Sequence, residues 1–209
     1  MKSLRIILLL PVIVWLSACT TALKDEAIDK VDWSSQQKAN SQIQRWTISG
    51  RISVQNGDDG AQLDYEWKQL NSTDYDIRLQ APLGMATVWI NGRANGVSLK
   101  TSSGEELFDD DVDKLMLRLN GWSLPVKGLH YWVRGLPSPD SRYTVPQWNE
   151  NGLPAVILQD GWDINFRKHT LINQQFVLPR KVFVTRAADN TREEVEVRMI
   201  IRKWLISND

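Results

Sequence analysis

The chain has 209 residues, 25 basic and 25 acidic side chains, and two histidines. This balance excludes the basic excess of a nucleic-acid binder, so no nucleic-acid partner is expected. Cys19 is the only cysteine, which excludes an internal disulfide.

The first residues have the pattern of a signal peptide. Lys2 and Arg5 precede an apolar stretch, residues 6–16, that is too short to span a bilayer. The tetrad Leu16-Ser17-Ala18-Cys19 follows it and resembles the lipobox of bacterial lipoproteins. We therefore expect residues 1–18 to be removed and Cys19 to carry the lipid anchor.

Residues 19–32 are small and polar and are interpreted as a lipidated tether. Residues 33–209 are expected to form one domain, because a chain of this length can bury roughly 70% of its unfolded surface in a single core. Trp33-Ser34-Ser35 is typical of a helix start, and the helix is expected to continue through Arg45.

Most of the domain alternates apolar and polar residues, as half-buried antiparallel strands do. The alternation is clearest in residues 46–54, 63–67 and 75–79, and strands are expected again at 156–158, 162–166, 181–185 and 194–203. Residues 86–90 are more uniformly apolar, which predicts a strand covered on both faces. Turns are predicted at Asn56-Gly57, Asn91-Gly92, Asn95-Gly96 and Asp160-Gly161.

The middle of the chain predicts two short helices. The acidic segment Asp109-Asp110-Asp111-Val112-Asp113 precedes Leu115, Met116 and Leu119 at helical spacing, and Pro125 begins a second helical stretch. So many short strands tend to curl into a barrel, which a few helices can cover. The predicted fold is mainly β, a curled antiparallel sheet with helices over an enclosed interior.

Nothing in the sequence assembles a catalytic, metal or cofactor site. His130 and His169 are far apart and lack a spaced carboxylate cluster. The acidic run 109–113 lacks the alternation of a calcium loop and is interpreted as helix capping. An enzyme is the least expected class.

Two features remain for function: ten tryptophans, and the turn Pro82-Leu83-Gly84. Core packing accounts for most tryptophans, and a few could line an apolar cavity. Pro82 and Gly84 fit the second and fourth positions of a tight turn, which places Leu83 at its tip.

Several motifs in this order resemble the LolB family of outer-membrane lipoprotein receptors over nearly the whole mature chain. They are the lipobox, residues 46–51 (WTISGR), Trp67, the Pro82-Leu83-Gly84 turn, residues 121–126 (GWSLPV) and residues 132–137 (WVRGLP). Beyond about Val145 we match few such motifs.

The resemblance implies an incomplete antiparallel β-barrel of about eleven strands, with a lid of about three helices over a hydrophobic cavity. It implies a monomer that accepts acylated lipoproteins from the periplasmic carrier LolA and inserts them into the outer membrane. By resemblance to enterobacterial-type lipoproteins, Thr20 after the anchor permits export to the outer membrane, where a lipid-anchored position on the periplasmic face is expected. The resemblance also implies that Pro82, Leu83 and Gly84 form the loop that delivers cargo.

If the apolar face of each strand is the concave one, a single set of residues is expected to line the acyl-chain cavity: Ile48, Ile52, Leu63, Tyr65, Trp67, Ile77, Leu79, Leu115, Leu119 and Trp132. Two other functions stay open. One is a lipoprotein that binds another apolar ligand without delivering it, and the other is a structural outer-membrane lipoprotein with a filled interior.

Overall fold

The structure is a computed structural model that describes residues 28–120, 124–190 and 193–207. The expected signal peptide, Cys19 and most of the expected tether lie outside these residues. Within them, the helices and strands are α1 (Trp33–Ser41), β1 (Trp46–Asn56), β2 (Asp59–Gln69), β3 (Tyr75–Gln80), β4 (Thr87–Arg93), β5 (Gly96–Thr101), β6 (Glu106–Asp109), α2 (Val112–Asn120), α3 (Val126–Trp132), β7 (Tyr143–Trp148), β8 (Pro154–Gln159), β9 (Trp162–Ile172), β10 (Phe176–Arg186) and β11 (Val195–Ile206).

The eleven strands form one antiparallel sheet in the order β6-β5-β4-β3-β2-β1-β11-β10-β9-β8-β7. The edge strands β6 and β7 are not hydrogen-bonded to each other, so the sheet of the described residues is not closed into a barrel. Residues from β5 on one side and β8 on the other belong to the same core. The sheet therefore curves around one interior, which confirms the predicted mainly β, incomplete-barrel fold.

Strand β1 lies at the centre of the sheet and pairs with β2 and β11. Its inward side chains Trp46, Ile48, Ile52 and Val54 are buried, as the alternation predicts. The pairing with β11 shifts register between Ser49 and Gly50, which is a β-bulge. The apolar face of this central strand thus packs in the same core as side chains of α2 and α3.

Helix α1 begins at Trp33, as predicted, but its capping residue and its C-terminal end differ from the prediction. The cap is Asp32, whose Oδ2 accepts a hydrogen bond from the backbone N–H of Ser35 (2.8 Å), rather than the Trp33-Ser34-Ser35 segment. The helix ends at Ser41 and not at Arg45. The amide of buried Asn40 donates to the backbone carbonyls of Arg134 and Val177, which fixes α1 to the core.

The capping interpretation of residues 109–113 is confirmed. The Asp111 carboxylate accepts a hydrogen bond from the backbone N–H of Asp113 at the start of α2 (2.8 Å). Among the described residues, no group of three or more His, Cys, Asp or Glu side chains could hold a metal ion.

The turn predictions succeed with one exception. Asp160-Gly161 connects β8 to β9 with positive φ at both residues (54° and 76°), as a two-residue hairpin requires. Asn91-Gly92 is instead inside β4, so that prediction is wrong. The Asn91 amide donates to Asp76 Oδ1 (2.7 Å), and the Tyr75 ring packs directly over Gly92, where a side chain would collide with it. Cross-strand packing there outweighs local turn propensity.

The antiparallel order places the turns at two rims of the sheet. The Leu83 rim contains the turns β1–β2, β3–β4, β5–β6, β8–β9 and β10–β11. The N-terminal rim contains the other turns and residues 28–32, where Val31 N–H donates to the Asn151 carbonyl (2.9 Å). The described chain therefore begins at the rim opposite Leu83.

None of the helices described is long and apolar enough to cross a membrane.

Candidate functional site

The residues predicted to line a cavity converge in the structure. Ile48, Ile52, Tyr65, Trp67 and Ile77 are buried in one apolar cluster. The same cluster includes Leu79, Leu115 and Trp132, and Leu63 packs against it half-buried. Leu119 belongs to α2, but its side chain lies outside the described residues. The sheet and the two middle helices thus share one apolar interior.

A pocket of about 200 Å³ opens at the N-terminal rim, between the β2–β3 turn and the helices α2 and α3. Its apolar wall consists of Trp67, Tyr75, Val112, Val126 and Tyr131. Ligand pockets commonly enclose ~300–1,000 Å³, so this volume is small for a long acyl chain. Of the predicted cavity residues, Trp67 lines the pocket, and contact with cargo stays a prediction for all of them.

A polar group of three side chains lies at the pocket floor. Gln69 Oε1 accepts hydrogen bonds from Trp67 Nε1 and from His130 Nδ1, both at 3.1 Å, and Gln69 is buried. Burial, with a smaller contribution from the charge of Arg134, lowers the pKa of His130 to about 3. His130 is therefore neutral, and it contributes a hydrogen bond to Gln69 at the pocket floor rather than a charge.

His169, the second histidine, is also neutral. Burial lowers its pKa to about 4, and its ring lies 6.1 Å from that of Phe166. Both histidines are thus uncharged and largely buried, and His130 also borders the pocket.

An acidic residue connects the two helices of the lid. The Asp113 carboxylate accepts a hydrogen bond from the backbone N–H of Val126, the first residue of α3 (3.1 Å). Burial, with a smaller contribution from the charge of Asp111, raises the pKa of Asp113 to about 6, despite the opposing effects of that hydrogen bond and of Lys127. Lys127 also pairs with Asp111 at 2.8 Å.

Two polar atoms inside the apolar cluster have no partner. Neither Trp46 Nε1 nor Tyr65 Oη has a hydrogen-bond partner in the part of the chain that the structure describes, although both atoms are buried. Burial raises the pKa of Tyr65 far above its ordinary value, so the hydroxyl stays protonated. An unpaired buried hydroxyl is costly and is a polar contact that a bound molecule can use.

At the opposite rim, Leu83 is 99% exposed. Its loop folds as two overlapping turns, in which Gly84 N–H donates to the Ala81 carbonyl (3.1 Å) and Met85 N–H to the Pro82 carbonyl (3.3 Å). Leu83 has a φ of 57°, a left-handed conformation that costs an apolar residue about 1–2 kcal/mol. The structure thus places Leu83 at the tip, as Pro82 and Gly84 predict.

Sequence reasoning missed most of the pocket. Gln69 and His130 are 61 residues apart, and no local pattern connects them. Val126 and Tyr131 belong to a seven-residue helix, of which only Trp132 was predicted to line the cavity. Met85, which is 76% exposed, has the strongest sequence signal of the missed residues, because the six residues 81–86 contain no polar side chain.

The fold and the site define a class of protein: a half-open antiparallel sheet around an apolar interior, covered by short helices and carrying an exposed apolar loop. Comparison with known families agrees with this class. The family model described as outer membrane lipoprotein LolB matches residues 44–204, and the chain belongs to that family.

Proteins named outer-membrane lipoprotein LolB are similar over nearly the full length. One from Alkalilimnicola ehrlichii is 31% identical over 192 residues, covering 92% of each chain. One from Francisella tularensis subsp. tularensis is 28% identical over 207 residues, covering 98% of this chain and 96% of the relative. A crystal structure of a LolA superfamily protein from Nitrosomonas europaea covers 84% of this chain and 93% of its own, with 7% identity and a TM-score of 0.49.

Proposed function

We propose that this protein is a receptor at the outer membrane that takes acylated lipoproteins from the periplasmic carrier LolA and inserts them into the membrane. Anchored through Cys19 on the periplasmic face, it would hold cargo acyl chains in the apolar interior without a cofactor or catalytic residue. The observation that carries the proposal is the apolar loop whose Leu83 is 99% exposed, on a fold with an apolar interior.

Such a receptor has to keep the acyl chains of its cargo out of water. An acyl chain of ~16 carbons would cost on the order of 13 kcal/mol to expose to water, at ~0.8 kcal/mol per methylene. Cargo therefore has to pass from one apolar site to another. The apolar cluster formed by the sheet, α2 and α3 is the candidate for such a site. Affinities that increase from carrier to receptor to membrane would make nucleotide hydrolysis unnecessary.

We infer from the small volume of the pocket that the lid helices α2 and α3 move when cargo binds. A pocket of about 200 Å³ at the N-terminal rim does not hold a whole acyl chain. Contacts of α2 with the sheet are concentrated on β6, an edge strand, and α2 meets α3 through the Asp113–Val126 hydrogen bond. Displacement of these helices would expose Leu115, Met116 and Leu129 to cargo without breaking the sheet.

The test is a two-step transfer assay with the mature protein made soluble by Cys19→Ser. An acylated lipoprotein in complex with LolA is mixed with this protein, and the loaded protein is then incubated with liposomes. We expect cargo to move at each step. Leu83→Glu should block the second step and spare the first, because a carboxylate at the tip prevents insertion into an apolar layer.

Leu205→Glu is the matched control. Leu205 is an exposed leucine on β11 at the N-terminal rim, half exposed like an ordinary surface residue. This variant should complete both steps. Cargo that never leaves LolA would overturn the receptor function. A protein that binds a fluorescent fatty acid but takes no cargo would be a binder of another apolar ligand, and one that binds neither would be a structural lipoprotein.

A further inference from the structure

The loop between β3 and β4 is an apolar surface larger than one leucine. Residues 81–86 are Ala-Pro-Leu-Gly-Met-Ala, and residues 82–86 are all exposed. The loop is closed by a hydrogen bond from Ala81 N–H to the Ala86 carbonyl (2.9 Å), so it projects as a compact unit. Leu83 and Met85 are its two large side chains, and both are mostly accessible.

A tryptophan lies on the outer face of the sheet just behind this loop. Trp89 is the third residue of β4 and is 39% exposed, so the expected strand covered on both faces is open on its outer face. It pairs across the sheet with Arg78 on β3 and with Lys100 on β5. Tryptophan flanked by long cationic side chains is typical of the interface between lipid headgroups and water.

The spacing along β4 fits a bilayer. Thr87 begins the strand next to the loop, and Trp89 is two residues further, which is ~7 Å along a strand. The headgroup layer on each side of a bilayer is of similar depth, ~5–7 Å. With the tip below the headgroups, the Trp89 indole would lie among them.

We propose that Leu83, Met85 and Trp89 form one membrane-docking surface whose occupant is a phospholipid bilayer. Leu83 and Met85 insert below the headgroups, and Trp89 contacts the headgroups. This proposal rests on the proposed function, because it assigns two further residues to the step at which cargo enters the membrane.

The charges around Trp89 indicate how docking occurs. Arg78 makes no hydrogen bond or ion pair with any described residue, so it is free to meet a phosphate. Lys100 pairs with Glu106 (2.7 Å), and Glu66 lies opposite Arg78 on β2. The surface is thus nearly balanced in charge. Docking should depend on insertion of apolar side chains and change little with salt, unlike binding driven by anionic lipids.

The direct test labels single positions with an environment-sensitive nitrobenzoxadiazole dye. Met85→Cys and Gln44→Cys are made separately in the Cys19→Ser protein. Gln44 is an exposed position at the opposite rim. With liposomes of phosphatidylcholine and phosphatidylethanolamine, emission from position 85 should rise and shift to the blue, and brominated lipids should quench it. Position 44 should not respond. Equal responses at the two positions, or none at position 85, would overturn the proposal.

A second test measures binding and delivery. Met85→Ser and Trp89→Ser should each weaken liposome binding about tenfold and slow cargo release to the same extent. Phe108→Ser, at another exposed aromatic on the outer face, is the control and should change neither. Acceptance of cargo from LolA should be unchanged in all three variants.

The outcomes separate the two proposals. If the dye at position 85 enters the bilayer but no cargo leaves LolA, the docking surface stands and the receptor function fails. If Met85→Ser and Trp89→Ser deliver cargo at the normal rate, the docking surface fails and the receptor function stands. These substitutions could instead abolish binding to LolA, or self-association measured by sedimentation. Either result would assign the surface to a protein partner and overturn the proposal that it docks on a bilayer.

Discussion

The carboxylate of Asp113 in α2 accepts a hydrogen bond from the backbone N–H of Val126, the first residue of α3, at 3.1 Å. This is a direct polar link between the two middle helices. Tyr75 on β3, Asp111 and Lys127 are the titratable groups that influence Asp113 electrostatically. The link places a partly buried acid between the two helices of the lid.

Asp113→Asn should stabilise the protein near neutral pH. The pKa of Asp113 is raised to about 6 in the fold, above its ordinary 3.8, so the folded state disfavours the carboxylate. This cost is fully present above pH 6 and disappears as the pH falls toward 4. The neutral amide can still accept the Val126 hydrogen bond. We expect a higher free energy of unfolding at pH 7.5, by at most about 3 kcal/mol, with the difference shrinking as the pH is lowered.

Urea unfolding of both proteins at several pH values between 4 and 8 measures this difference. Asp58→Asn, in the exposed β1–β2 turn, is the control and should shift stability by a constant small amount. A stability gain from Asp113→Asn that does not vary with pH would contradict the prediction.

Gly50→Ala should destabilise the sheet severely. Gly50 is at the bulge where β1 and β11 shift register, and a Cβ built there overlaps the backbone carbonyl oxygen of Ile200. Because the obstacle is backbone in a central strand, the sheet itself has to move. We expect a loss of about 3 kcal/mol or more in the free energy of unfolding. Ser49→Ala, the preceding residue, should cost less than about 1 kcal/mol, and equal losses would refute the bulge explanation.

Gly50 also explains part of the WTISGR motif. Alternation predicts the strand from Trp46 to Val54, but it does not predict that β11 approaches so closely that only glycine fits. The partner strand is about 150 residues away in sequence. Such non-local contacts leave no signal in a local pattern.

Local chemistry predicted the fold best where turn residues and alternation agree. Asn56-Gly57 and Asp160-Gly161 are at hairpins, and the strand ends that flank these two turns lie close to the predicted positions. The turn between β9 and β10 was missed because Asn173 and Gln174, and not glycine, adopt positive φ there (52° and 55°). The predicted strands consequently stopped at Phe166 and resumed at Lys181, whereas β9 and β10 extend to the turn.

The candidate site was likewise predicted only where local sequence chemistry determines it. Pro82 and Gly84 indicate the exposed tip because turn geometry is local. Alternation also selects the buried face of each strand. Which buried side chains border open space depends on where α2 and α3 settle on the sheet, and periodicity carries no information about that placement.

Tyr65→Phe tests whether the buried hydroxyl serves the fold or the cargo. Tyr65 Oη has no hydrogen-bond partner among the described residues. Its removal therefore eliminates the free-energy cost of burying an unpaired polar group. We expect the free energy of unfolding to stay equal or rise by about 1 kcal/mol. If the hydroxyl contacts cargo, acceptance from LolA should slow in the same variant. Tyr75→Phe, which removes a hydroxyl from the pocket wall, is the comparison variant. A clear loss of stability in Tyr65→Phe would contradict the finding that the Tyr65 hydroxyl has no partner among the described residues.

Leu83→Gly should separate stability from delivery. Leu83 has a left-handed φ of 57°, which glycine adopts without steric cost, and its side chain is almost fully exposed. Glycine therefore relieves backbone strain, although it also gains freedom in the unfolded chain. We expect the free energy of unfolding to be unchanged or higher by up to about 1 kcal/mol.

Delivery of cargo to liposomes should nevertheless slow markedly in Leu83→Gly, because the side chain that we propose to insert into the membrane is gone. Gln174→Gly is the matched control, since Gln174 is exposed, has a φ of 55° and lies in a turn on the N-terminal rim. It should show the same small stability change with normal delivery. If Leu83→Gly delivers cargo at the control rate, the strained leucine has no role in insertion, and its conformation would need another explanation.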